Sequence, residues 1–151
     1  MPNSNLLQEL IVELLVAISG LSTYPVPDRP PEVVLISHQE LEGMACDRPC
    51  EVYGWFPGGR TIFLDDRLNP VEETPAAGIL VHELVHFLQQ ENGRFSNRRS
   101  CEDWVKREQE AYQIQIRWLR RQSAAGEPSI GIGPPPWRLI GCDDGTAGDK
   151  E

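Results

Sequence analysis

Apolar residues at positions 6, 7, 10, 11, 14, 15 and 18 recur at a spacing of three to four, the signature of one helical face. This predicts an amphipathic N-terminal helix over 1–20, packed on the core and closed at Ser19-Gly20. The run from Tyr24 to Pro31 holds four prolines and cannot be regular structure. Val33-Val34-Leu35-Ile36 is a β-branched run that predicts a strand. Ser37, with Glu40 three residues on, has the pattern of a capping box opening a short helix. Glu51 to Phe56 and Arg60 to Leu64 flank Pro57-Gly58-Gly59 and predict a β-hairpin. Asp65 to Pro70 reads as a solvated loop.

A long helix is expected from about Val71 to Glu91, stopped by Asn92-Gly93. A second follows a polar loop and runs from about Cys101 to Gln122. Beyond Gly126 the chain is rich in Gly and Pro and is expected to be extended. Trp137, Leu139 and Ile140 would anchor it before a disordered acidic tail over 143–151. No internal repeat is visible. The 151 residues suit a single α+β domain over 1–142, with a small antiparallel or mixed sheet on two long helices (71–122) plus the N-terminal helix.

The formal net charge of −9 argues against nucleic acid and anionic membrane surfaces as partners, and is most simply a solubility device. Leu6 to Ile18 is interrupted by Gln8, Glu9 and Glu13 and falls short of the ~20 residues of a membrane span. It also lacks the basic start and small-residue cleavage site of a signal peptide. The four cysteines lean the other way. An even set permits two disulfides, Cys46–Cys50 and Cys101–Cys142, and points to a periplasmic or secreted protein. A mature or truncated chain reconciles the two. A second zinc site on C-x3-C is disfavoured, because Cys101 and Cys142 are single and far apart. The protein is expected to act as a monomer.

Candidate chemistry lies in His82-Glu83-Leu84-Val85-His86, within the first long helix. Residues four apart share a helical face, so both imidazoles can reach one metal ion, with Glu83 placed to take a proton from a water that the metal activates. A hydrolytic zinc site needs a third protein ligand. His38, where the first strand hands over to a helix, reads as a surface or capping residue. On the second long helix, at about 100° per residue, Glu108 shares a face with Cys101, Trp104, Val105, Ala111, Tyr112, Gln115 and Leu119. A carboxylate inside such a stripe costs several kcal/mol unless it is paired or bound to metal, with burial of order 2–7 kcal/mol per unpaired polar group. Glu110 lies nearly opposite, with Asp103, Lys106, Arg107 and Ile114, and is expected to face solvent. Ala111 and Gly78 are small enough to let the two helices approach closely. The expected ligands are therefore His82, His86 and Glu108 around Zn2+. Gln89 and Gln115 are placed to hydrogen-bond them, and Tyr112 is a candidate oxyanion stabiliser.

H-E-x-x-H followed, 22 residues after His86, by Glu108-x-x-Ala111 resembles the gluzincin group of zinc metallopeptidases. The resemblance covers roughly Thr61 to Leu119 and implies His82, His86 and Glu108 as ligands and Glu83 as general base, in a minimal zincin-like fold. It also implies that Thr61 to Leu64 is the edge strand on which an extended peptide substrate aligns by its main chain. The longer pattern resembles small bacterial domains of unassigned function: Tyr-Pro-Val-Pro, a hairpin, Val81 to Gln89, then Cys101 with Glu108-x-x-Ala111-Tyr112-x-x-Gln115. The leading expectation is a zinc-dependent peptidase. The alternatives are an amidase acting on cell-wall peptide, a catalytically idle zinc-binding interaction domain, and a metal-free helical protein with a chance motif.

Overall fold

A computed structural model describes residues 4–46 and 52–124 together with Cys142. The element order is α1 (Ser4–Leu21), β1 (Glu32–Ile36), α2 (His38–Ala45), β2 (Gly54–Trp55), β3 (Thr61–Asp65), α3 (Thr74–Glu91) and α4 (Cys101–Ala124). This is an α+β arrangement with a three-stranded mixed sheet. The tail anchors Trp137, Leu139 and Ile140, the acidic end and the Cys46–Cys50 pairing lie outside the described residues, although Cys46 is itself disulfide-bonded. Cys101 and Cys142 are joined, as expected.

The sheet corrects one expectation. Its order is β1-β3-β2, with β1 parallel and β2 antiparallel to β3. Thr61 to Asp65 is thus the central strand, paired on both sides, and among the described residues β1 and β2 form the two edges. The β2–β3 connection is the expected hairpin, and its turn uses Gly58 (φ 106°) and Gly59 (φ 83°), conformations that side chains disfavour. The Gln90 side chain clamps this turn, accepting from Gly59 N and donating to Gly59 O, both at 2.8 Å.

α3 starts at Thr74, three residues later than expected. Pro75 fits the first helical turn, where a missing N–H costs nothing, and the chain before it turns on Asn69 O, which accepts from Glu72 N and Glu73 N. The helix ends at Asn92-Gly93, Gly93 taking φ 64°. Every residue from Ala76 to Gln89 except Ile79 is buried, so α3 is covered on all sides. The sheet covers one side through Ile62 and Leu64. α1 and α4 cover the others through Leu7, Ile11, Leu14, Leu15 and Ile18, and through Ala111, Ile114, Trp118 and Leu119. Full burial of each large apolar side chain is worth about 1.5–3 kcal/mol, so these contacts hold α3 in place. Gly78 marks the close approach of α3 to α4: a Cβ there would stand 3.1 Å from Leu119 Cδ2.

By length and mean hydropathy (1.4 over 18 residues) α1 could cross a membrane, its acidic residues notwithstanding. In this fold it instead supplies five buried residues to the core.

Candidate metal centre

Because α3 is buried all round, its polar residues cannot be left to solvent. His82, Glu83, His86 and Gln89 are each 5% exposed or less. α4 brings Glu108, 3% exposed, to the same place. His82 Nε2 lies 3.1 Å from His86 Nε2 and 3.3 Å from Glu108 Oε1, and His86 Nε2 lies 2.7 Å from Glu108 Oε2. One ligand atom from each of the three side chains falls within 4.8 Å of the others. Donors bound at about 2.0–2.1 Å in a tetrahedral zinc site stand about 3.3 Å apart, close to these separations.

The far sides of the rings are held by glutamines. Gln89 Nε2 donates to Arg107 O at 3.0 Å and to Glu110 Oε1 at 3.1 Å, so the amide can present only its oxygen to His86. That oxygen lies 2.9 Å from His86 Nδ1, which therefore carries the ring proton, leaving the Nε2 lone pair toward His82 and Glu108. Gln115 Oε1 stands in the same relation to His82 Nδ1, at 3.1 Å. Glu108 Oε2, 2.7 Å from His86 Nε2, is buried and otherwise has no hydrogen-bond partner among the described residues. A converging set of two imidazole nitrogens and a carboxylate, with lone pairs turned inward, is a donor set that a divalent metal takes.

Electrostatics agree with that chemistry. Burial opposes a charge on Glu108, but His86 and His82 outweigh it and hold its carboxyl well below the usual range. Burial likewise disfavours a charged His82, yet the Glu108 carboxylate raises its pKa. A site that favours an imidazolium favours a cation. Glu83 is pushed up, first by burial and partly restrained by the two imidazoles. The Phe56 backbone amide donates to its carboxylate, while Oε1 is buried without a hydrogen-bond partner among the described residues.

Three residues around this centre escape a reading of periodicity. Gly54 lets β2 lie against Glu83, since a Cβ there would stand 3.0 Å from Glu83 Cγ. A glycine inside a strand pattern is the signal that could have found it. Tyr24, from the proline-rich connector, donates its hydroxyl to Glu110 Oε1. Arg107 is buried and donates from Nη1 to Phe95 O at 2.7 Å.

These contacts correct the solvent-facing assignment of Glu110, which is half-buried and bonded to Tyr24 and Gln89. The buried arc of α4 is centred about 45° from Glu108, toward Trp104 and Ala111, so it takes in Arg107 and Ile114 and leaves Val105 only half-buried. Asp65 is also corrected. It is fully buried at the end of β3, gripped by Arg67 (Nε to Oδ1 2.9 Å, Nη2 to Oδ2 2.6 Å) and by His38 at 3.0 Å. His38 stays away from the centre, pairing with Asp65 and Glu42 at the start of α2. Tyr112 packs edge-on against His82, with ring centroids 4.3 Å apart.

Compared with protein-family models, curated proteins and solved structures, the chain matches none.

Proposed function

We propose that the chain is a zinc-dependent hydrolase, a metallopeptidase in which water attacks a peptide bond. The observation that carries this reading is the convergence of His82 Nε2, His86 Nε2 and Glu108 beside the Glu83 carboxylate, with both Nδ1 atoms engaged by glutamine oxygens. His82, His86 and Glu108 would hold the ion. When bound, zinc supplies Lewis acidity toward a carbonyl oxygen and lets a water ionise near neutral pH.

Glu83 does the proton work. Its Oε1, without a hydrogen-bond partner among the described residues, takes the proton of the attacking water and returns it to the departing nitrogen. The Phe56 amide fixes the orientation of the carboxylate, and Gly54 leaves room for it. Gln89 and Gln115 hold the imidazoles in the tautomer that offers Nε2. Tyr112, stacked at the edge of His82, is the side chain we assign to stabilising negative charge on the tetrahedral carbon's oxygen. β2, at the edge of the sheet and against Glu83, is where an extended peptide would pair by its main chain. The test is Glu83→Gln. It should keep the metal and lose turnover of a peptide library by a factor of at least 10². Undiminished turnover in that variant would remove Glu83 from the chemistry.

A further inference from the structure

A cavity of about 100 Å³ adjoins the candidate metal centre, with His86 and Gln89 in its wall and Arg94, Phe95, Arg98 and Arg107 around the rest. The loop after α3 builds it. Gly93 (φ 64°) turns the chain, and Arg94 N bonds back to Gln89 O at 2.8 Å. Phe95 takes a left-handed conformation (φ 50°), with its carbonyl held by Arg107 Nη1 from α4. Arg98 reaches back to the hairpin, its Nη2 standing 3.4 Å from where a Cβ on Gly58 would be.

Three guanidinium-bearing side chains thus surround one small space, and no carboxylate is among the described residues that line it. A cation beyond a helix C-terminus is favoured by the helix dipole, which accounts for Arg94, three residues past the end of α3. It does not account for Arg98 from the loop or Arg107 from α4. The whole chain carries a net charge of −9, so its long-range field repels anions and this concentration of positive charge is local. Guanidinium groups recognise planar anions through paired N–H donors. The volume, about three waters' worth, suits one carboxylate-bearing group rather than a run of peptide.

We propose that this cavity binds a carboxylate of the substrate, so that cleavage falls on peptides bearing a negative charge next to the scissile bond. The carboxylate comes either from a free C-terminus or from an Asp or Glu side chain. This inference names the substrate class of the hydrolase reading and rests on it. Its test, however, reads binding rather than turnover.

The full-chain Glu83→Gln variant is titrated with three probes: acetyl-Ala-Ala as free acid, acetyl-Ala-Ala amide, and acetyl-Ala-Glu amide. Affinity is followed by amide NMR shifts, with zinc added and again after EDTA treatment. At least one carboxylate probe should bind tenfold or more tighter than the neutral amide, with shifts at Gly58, Phe95 and Ser96. The tighter of the two names the source of the charge. The preference should persist after EDTA and fall to the amide level in a variant that also carries Arg94→Gln and Arg98→Gln, two exposed positions whose loss leaves the core intact. Equal affinity for acid and amide, no saturable binding up to 10 mM, or a preference that vanishes with EDTA would overturn the proposal. In the last case the carboxylate ligates the metal, not the arginines. An inactive wild-type protein would defeat the hydrolase reading and leave this measurement standing.

Discussion

Gln89 offers its amide oxygen to His86 Nδ1 at 2.9 Å, and its amide nitrogen has no freedom to take that place. The nitrogen is committed to Arg107 O and to Glu110, whose carboxylate also accepts from Tyr24. A chain of hydrogen bonds from the proline-rich connector through α4 thus sets which nitrogen of His86 faces the centre. Replacing Gln89 by Leu leaves the His86 N–H without its acceptor and should weaken zinc binding about 10–100-fold. Gln89→Glu restores the acceptor but sets a second carboxylate against Glu110 and the Arg107 carbonyl. It should lower the thermal midpoint more than Gln89→Leu does. Competition with a chromogenic chelator and thermal unfolding of the two variants check this ordering.

Gly54→Ala tests the contact between β2 and Glu83. Glycine in a strand normally costs about 0.5–1 kcal/mol relative to alanine, which by itself predicts stabilisation. Here the added methyl meets Glu83 Cγ at 3.0 Å and Leu64 Cδ2 at 3.1 Å. Both neighbours are buried, so making room for the methyl displaces packed side chains, and overpacking of about 1–3 kcal/mol wins. Denaturant unfolding should show a net loss of stability, and the displaced Glu83 should reduce any hydrolytic activity more than zinc content.

The main features of the centre were readable from spacing. Two imidazoles four apart on a buried helix need a partner, and Glu108 is the carboxylate that helical phase turns inward. Gln89 and Gln115 follow from the same phase. Glu110 did not follow, because a wheel centred on Glu108 assumes one narrow contact face. α4 packs on both α3 and α1, which widens its buried arc, and Tyr24 arrives from a segment that has no periodicity to read. The central position of β3 depends on its parallel pairing with β1, a non-local contact that no local pattern encodes. The same pairing sets Ile36 against Asp65 and buries a residue that composition places in a loop.

Asp65 makes stability depend on acid. Its carboxyl is held at about 2, below the ordinary 3.8, chiefly by the Arg67 hydrogen bonds. The folded pKa lies under the unfolded one, so the contribution is complete above pH 3.8 and is lost as pH falls toward 2. Arg67 is largely exposed, so solvent screening reduces the gain to roughly 1–2 kcal/mol. Asp65→Asn should therefore unfold more easily than the wild type at pH 6, and the difference should shrink between pH 4 and pH 2. Urea midpoints across that range measure it.

The Cys101–Cys142 bridge spans 41 residues and ties Cys142 to the start of α4. Closing a loop of that length removes unfolded-state entropy worth about 4 kcal/mol at most. A Cys142→Ser variant should lose a large part of that stability, and zinc affinity should change less than stability does, since neither cysteine touches the centre. Thermal unfolding with and without reductant, beside chelator competition, separates the two effects.

The central claim is that His82, His86 and Glu108 hold one zinc ion, and metal content of the purified full chain tests it most directly. After dialysis against metal-free buffer, elemental analysis should find one zinc per chain in the wild type and in Glu83→Gln. Little should remain in His86→Ala and in Glu108→Ala. A folded wild-type protein that retains no stoichiometric metal and takes up none from added zinc would contradict the account.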